Sequence, residues 1–416
     1  MLSLRLNPLH PIDMFVRVTL PFAAANFMNQ AARTVMAIVG PVLAVEFSLS
    51  ASELGILGAC LFAAYAITQF PLGIALDRFG ARRTQSALIA LAALGFAVFA
   101  LSPGFAGLAV GRVMLGVGIS AGLMALIKAH SQWFARDRVA NMTGIAMGIG
   151  ALGSMLTTTP VQAVMPSLGW RGVFWVLSVM TLAVSIWIFF SVPEKASPAG
   201  PRLSLRQEIA VSLGILKSRQ FWRFGPAVAT VSMFNFVYLG LWAGPWLRDV
   251  AGVDGPGRAN ILFLYTVALV AGSLVAGNLT SRARAAGLPP FVIPVSALSF
   301  MVCVQIGLAL QPAQPHAVIA LWVAAAFFGS AGPSGYVAMG QMFPPEQTGR
   351  ISTAVNTLSL GTAFIVQTVF GWILDLWPRT ASGGWHPDGY SWGLILTGAL
   401  QLAAAVAMVS GNRKTS

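Results

Sequence analysis

One stretch of the chain sets amides and a cation at helical spacing: Asn26, Asn29, Gln30 and Arg33 fall at i, i+3, i+4 and i+7. On a helix they form a single narrow polar stripe, within a segment from about Phe15 to Val45 that is otherwise almost wholly apolar. A cation in the middle of a membrane-spanning helix costs roughly 2.5–3.5 kcal/mol on insertion scales, so the stripe must face protein or a watery cavity. The chemistry on offer is anion recognition, because a guanidinium presents a planar fork that matches a carboxylate or a phosphate. A second constellation is Gly73-Ile74-Ala75-Leu76-Asp77-Arg78-Phe79-Gly80-Ala81-Arg82-Arg83, one acid among three arginines. An Asp in such a turn pairs with a cation or accepts from a helix N-terminus, and the glycines permit close approach and a sharp reversal. Arg112, beside Gly111 and followed by Gly116, Gly118 and Gly122, is a second intramembrane cation in a segment suited to close helix packing.

The elements that hold these residues follow from composition. The 416 residues are 56% hydrophobic and 9% charged, with mean hydropathy +0.76, where a soluble domain carries about 25% charge. Long apolar runs recur to Ser410, which predicts an all-α membrane protein of twelve transmembrane helices rather than a barrel. The spans are expected near 15–45, 52–76, 84–102, 104–134, 139–165, 170–192, 222–247, 258–281, 289–311, 314–343, 350–378 and 390–410. With both termini on one side, that side holds nearly every loop cation, and only Arg171, Arg248, Arg258 and Arg379 fall opposite. This bias puts both termini in the cytoplasm. It also turns the net charge of +13 into a topology signal, and basic residues scattered over short loops exclude nucleic acid as a partner. The N-terminus does not read as a cleaved signal, since Pro21 follows Arg17 and the apolar run outlasts a signal core.

Other polar positions sort by face. Ser52 reads as the N-cap of the second helix, which carries Tyr65, Thr68 and Gln69 along one side. Lys128 and His130 sit near the cytoplasmic end of the fourth helix, with snorkelling the expected role of the lysine. Gly144, Gly148, Gly150 and Gly153 read as a packing seam in the fifth. The seventh helix sets Asn235, Tyr238, Trp242 and Trp246 on one face, Trp246 as an interfacial belt residue. The tenth has Ser330, Ser334 and Tyr336 around a kink at Pro333, and the eleventh has Asn356, Ser359 and Gln367 on one face. Cys60 and Cys303 read as unpaired packing residues, and His386 with Asp388 makes no metal site. With no nucleophile–base pair and no ligand cluster, the chain reads as neither an enzyme nor a cofactor protein.

The pattern GxxxDRxGxRR from Gly73 to Arg83, placed between the second and third of twelve spans, resembles the cytoplasmic-loop signature of the major facilitator superfamily, and the resemblance covers essentially the whole chain. It implies two pseudo-symmetric six-helix bundles, residues 1–192 and 222–416, joined by a cytoplasmic linker, 193–221, that is rich in Pro, Ser and charge. A degenerate copy of the pattern, Gly277 to Arg282 with Ser281 in place of Asp77, fits such a duplication. The resemblance further implies that the first, fourth, seventh and tenth helices line a central cavity about which the halves rock. The substrate residues expected on that basis are Asn29, Gln30, Arg33, Arg112, Asn235 and Tyr238, with Ser334 also towards the cavity, and Asn356 on the eleventh helix is expected either to join them along the pathway or to bond across the seam between the halves. Gly73, Asp77, Arg78, Gly80, Arg82 and Arg83 are expected to gate the cytoplasmic side against the start of the eleventh helix, near Arg350 to Thr353.

Arg33 followed by Pro41 is similar to the organic-phosphate and organic-anion branches of that superfamily. Ala32 stands where many proton-coupled members have Asp, and the seventh helix lacks the second arginine of the phosphate exchangers. No acid lies inside a span. Glu46 and Glu53, at the outer edge, are within reach of Arg112 and not of Arg33. The expectation is a secondary transporter for a small organic anion, a carboxylate ahead of a phosphate, acting as a monomer in a bacterial inner membrane, with or without a coupling proton. Two alternatives stay open: proton-coupled efflux of amphipathic drugs, against which the fifth helix lacks the Gly-Pro pair of such antiporters, and a transporter-like receptor that moves no solute.

Overall fold

The computed structural model describes residues 11–193, 214–344, 347–381 and 383–410. Most of the expected linker lies outside these residues. Ten helices are long and apolar enough to cross a membrane, a bent pair makes an eleventh, and Asn141–Leu156 is a shorter apolar helix. By chain order the spans are α1 (11–46), α2 (51–79), α3 (81–101), α4 (105–133), α5 (136–168), α6 (170–191), α7 (219–249), α8 (Gly255–Ala285), α9 (Val292–Ala309), α10 (315–341), α11 (Thr348–Leu374) and α12 (Pro387–Ser410).

Glycine sets two of these boundaries. Gly80, at φ 79° and ψ 168°, breaks the helical run from Ala51 to Leu101 and turns the chain from α2 into α3. Gly169, at φ 63°, separates α5 from α6 in the same way. No L side chain occupies the Gly80 conformation without strain. The N-cap of α2 is Ser50 rather than Ser52. Its hydroxyl accepts from the Glu53 N–H at 3.1 Å and its own N–H donates to the Glu53 carboxylate at 2.9 Å, a reciprocal capping box.

Several spans are interrupted near mid-membrane. α1 bends by 40° at Val35, two residues after Arg33. α4 breaks at residues 119–121 and α10 at 330–331, while α7 widens into a π-turn, Tyr238–Trp242.

A single apolar core runs through both bundles, from Val35, Leu54 and Phe96 to Trp242, Leu360 and Phe370. At the basic end, where the loop arginines gather, α1–α6 keep their own cluster around Phe22, Leu72, Ile89 and Leu126. The bundles are bonded together at the opposite end. Thr159 of α5 donates to Asn260 of α8 at 3.2 Å, and Arg248 of α7 reaches the Pro41 carbonyl of α1 at 3.5 Å. Backbones touch there as well: a Cβ on Gly244 would lie 1.9 Å from the Ala37 carbonyl, and one on Gly371 would lie 2.5 Å from that of Ala51. Among the described residues these contacts close the arrangement at this end.

Replacing Gly80 by Ala is expected to destabilise the protein by about 1–3 kcal/mol, read as a lower midpoint of thermal unfolding in detergent. An unchanged midpoint would mean that the turn relaxes without strain.

Candidate functional site

The polar stripe of α1 divides in the folded chain. Asn26 and Asn29 are buried, whereas Gln30 and Arg33 are half-buried. Asn29 donates through Nδ2 to the Ile119 carbonyl at 3.2 Å, and Gln69 of α2 donates to the Ser120 carbonyl at 3.1 Å. Both carbonyls belong to the break in α4, where the helical ladder leaves acceptors without their usual donors. Asn26 donates to the Met147 sulfur of α5 at 3.4 Å, and Gly150 and Gly153 let α5 lie directly against α1. Gly144 and Gly148 face open space, so the packing seam of α5 is shorter than the glycine run suggests.

Asn235 repeats this arrangement in the second bundle. Its Nδ2 donates at 2.8 Å to the Gly329 carbonyl, next to the break in α10, and its Oδ1 accepts from the Tyr265 hydroxyl at 2.6 Å. Tyr238 is fully buried, with its hydroxyl 2.9 Å from Thr397 Oγ1 of α12. It therefore faces the interior of its own bundle. Trp246 is also buried, packed edge-on against Trp322 at 5.5 Å, and does not form an interfacial belt.

The two intramembrane arginines differ in kind. Arg112 is fully buried, with Nε donating to the Leu57 carbonyl and Nη1 to the Ala32 carbonyl, each at 3.0 Å, and Nη2 3.5 Å from the Gly58 carbonyl. It ties α4 to α1 and α2 and presents no free edge to a ligand. Neither outer-edge acid reaches it: Glu46 pairs with Arg171 and Trp170 at 2.6 Å, and Glu53 completes the cap of α2.

Arg33 has no hydrogen-bond or ion-pair partner for its guanidinium among the described residues, and its Nε is buried. Its Cζ lies over the Tyr65 ring of α2 at 4.8 Å and over the Phe236 ring of α7 at 5.1 Å. Phe236 in turn packs on Phe62 at 5.4 Å. Cation–π contact fixes a guanidinium by its faces and leaves the N–H groups at its edge. Tyr336 of α10 lies within electrostatic reach of Arg33, with its hydroxyl 3.2 Å from Ser359 Oγ and 3.5 Å from Asn356 Oδ1. The Gln30 side chain makes no hydrogen bond among the described residues.

Of the residues expected around substrate, Arg33, Gln30 and Asn356 are half-buried, with the Arg33 guanidinium and the Gln30 side chain free of hydrogen bonds among the described residues, and Asn29, Arg112, Asn235 and Tyr238 make the packing contacts described above. Phe236 was not on the expected face of α7. A lone Phe carries no chemical signal, and helical spacing sets it apart from Asn235 and Tyr238, whose bonds lie within their own bundle.

At the basic end Asp77 is ion-paired with Lys128 of α4, with Asp77 60% and Lys128 19% exposed. The pair lies within one bundle, so in this state the aspartate is held by α4 rather than by the start of α11. Lys128 accordingly has a partner instead of snorkelling alone. Arg82 stacks over Phe189 of α6 at 5.0 Å and Arg78 over Phe79 at 5.5 Å, while Arg83 lines a shallow groove with Phe79 and Thr84. Gly73 meets no neighbour within 4 Å, so close approach is not its role in this conformation. His130 is buried between hydroxyls, Nε2 at 3.2 Å from Thr19 and Nδ1 at 2.9 Å from Thr143, which knits α1, α4 and α5 together.

Comparison with known proteins places this geometry. The family model for the Major Facilitator Superfamily matches residues 22–367. A hexuronate transporter of Bacillus subtilis (strain 168) is 26% identical over 171 residues, 41% of this chain and 40% of that protein. A probable sulfoacetate transporter of Cupriavidus necator is 27% identical over 271 residues, 60% of this chain and 61% of that protein. These matches span less than two thirds of either relative. Among solved structures, a bacterial homolog of the human lysosomal transporter Spinster, in an inward-facing and unoccupied conformation, superimposes with TM-score 0.80 at 17% identity over 97% of both chains. At that identity the likeness is one of fold.

Arg112→Met is expected to lower stability by about 3 kcal/mol, because charged hydrogen bonds to three carbonyls are lost, while anion affinity in the folded fraction stays as in the parent. Thermal unfolding with and without ligand separates the two effects; a selective loss of affinity would return Arg112 to the binding site.

Proposed function

The chain belongs to the Major Facilitator Superfamily, and on that premise we propose that it moves a small organic anion, a carboxylate, across the bacterial inner membrane by alternating access. The observation that carries this reading is the Arg33 guanidinium, clamped on its faces by Tyr65 and Phe236 with no acidic partner among the described residues. A carboxylate accepts two parallel N–H bonds from such an edge. Gln30 and Asn356 supply further polar contacts, and the aromatic rings wall the space. One central arginine suits a monoanion better than a phosphate. The substrates named for the two relatives, a hexuronate and sulfoacetate, each carry a carboxylate, the second with a sulfonate besides.

In this reading both termini and the basic loops are cytoplasmic, following the arginine bias, and residues 1–192 and 222–416 rock about the Arg33 space. The structure then represents the state open to the cytoplasm. Gly73, Asp77, Arg78, Gly80, Arg82 and Arg83 form the gate that closes against the start of α11 in the opposite state, with Asp77 exchanging Lys128 for that helix end. The chain acts as a monomer in this reading, with or without a proton coupled to the anion.

A thermal-shift screen of the purified protein against carboxylates, phosphates and cationic amphiphiles, followed by uptake into proteoliposomes, tests the assignment. Carboxylates are expected to stabilise it, and Arg33→Lys to weaken them by about tenfold or more, since an ammonium lacks the planar fork. Stabilisation by cationic amphiphiles alone, or full affinity in Arg33→Lys, would overturn the reading.

A further inference from the structure

The closed end holds a contact that mirrors the gate at the basic end. α2 ends in Gly73-Ile74-Ala75-Leu76-Asp77, and α11 ends, on the opposite side of the membrane, in Gly371-Trp372-Ile373-Leu374-Asp375. Both read GxxLD. The Asp375 carboxylate crosses from the second bundle to the N-terminus of α2, where Oδ1 accepts from the Ala51 N–H at 2.9 Å and Oδ2 from the Ser52 N–H at 2.8 Å. The next two N–H groups of that turn are satisfied locally, Glu53 by the Ser50 hydroxyl and Leu54 by the Ser50 carbonyl. The other bundle therefore caps the first two amides of α2, where the helix dipole favours a negative charge. From the same loop, Arg379 donates to the Leu49 carbonyl just before the cap, so the start of α2 is held by an anion on its donors and a cation on its acceptor. The α5–α8 seam has no such feature: the N-terminus of α8 is capped by its own Asp254, which accepts from the Gly257 N–H at 2.9 Å.

The basic end shows the converse. The N-cap residue of α11, Gln347, makes no side-chain capping bond, and Asp77 is held by Lys128. We propose that Asp375 is a positioning residue of the transport cycle: a carboxylate latch that holds the outer ends of α2 and α11 together and that is released when Asp77 takes up the N-terminus of α11. The two aspartates then form a reciprocal pair, each capping the first turn of the other's helix in one of the two states. Asp375 lies at the exposed rim of the seam, so its latch opens into water, which replaces the carboxylate on the Ala51 and Ser52 amides.

This inference rests on the alternating-access reading above, and its test reads conformation rather than substrate. In a Cys60→Ala, Cys303→Ala background, spin labels at Val45→Cys and Leu310→Cys report the distance across the outer end. Labels at Ser131→Cys and Leu288→Cys report the basic end. Asp375→Ala is expected to raise the ratio of outer-open to outer-closed molecules by about fivefold, the usual effect of losing a helix cap, with a matching shortening at the basic end. Adding Asp77→Ala is expected to move the ratio back towards that of the parent. If Asp375→Ala folds poorly, the isosteric Asp375→Asn gives the same readout with a smaller shift. Distances unchanged in both label pairs would overturn the latch even if anion transport is intact. A shifted ratio in a protein that carries no anion would uphold the latch and overturn the anion assignment.

Discussion

A guanidinium in an apolar interior must be solvated by something, because burying a bare charge costs far more than the fold can supply. The two central arginines answer this constraint in opposite ways. Arg112 is solvated by protein, its donors shared among the Leu57, Ala32 and Gly58 carbonyls, and in doing so it locks α4 onto α1 and α2. Arg33 is contacted by ring faces only, so its edge is left to water or to an anion. The first arginine builds the bundle, and in the proposed reading the second is the group that selects an anion.

The helices around these arginines are interrupted, and the interruptions account for the bonding of three amide side chains near the centre. Where α4 breaks, Asn29 and Gln69 meet the Ile119 and Ser120 carbonyls. Where α10 breaks, Asn235 meets the Gly329 carbonyl. The recurrence of one solution in α1 with α4 and in α7 with α10 is the duplication of the chain expressed at the level of a single hydrogen bond. It fixes two discontinuous helices that would otherwise carry unsatisfied backbone in a dry environment.

Much of this was legible in the sequence because it rests on composition and periodicity. Twelve apolar runs, the arginine bias and the Gly73–Arg83 pattern gave the all-α architecture and the family, and the i, i+3, i+4, i+7 stripe located Arg33. What escaped was whatever depended on which neighbour a polar atom met. Asn29 and Asn235 look like ligands because nothing in a sequence marks where a partner helix will break. Phe236 and Tyr238, two residues apart, lie on different sides of α7, and nothing in their spacing says which side meets the other bundle. Ser50 and Ser52 are equally good caps on paper, and Glu53 three residues after Ser50 is the signal that separates them. Arg112 and Arg33 are chemically identical, and only depth within the bundle distinguishes a structural cation from an accessible one.

The bare-backbone contacts at the closed end carry a consequence for how quickly the molecule can change state. Where Gly244 meets Ala37 and Gly371 meets Ala51, backbone lies on backbone, and beside these points the side chains of Leu241, Trp242 and Gln367 fill the space over Gly40, Gly55 and Gly58. Meshed side chains must leave their rotamer wells before two surfaces separate, and each such step adds to the barrier. Backbone faces part with little torsional rearrangement, and the exposed carbonyls are wetted as the gap opens. Opening this seam therefore asks for release of the rim fastenings and withdrawal of the few side chains, Leu241, Trp242 and Gln367, that lie over glycines of the other bundle.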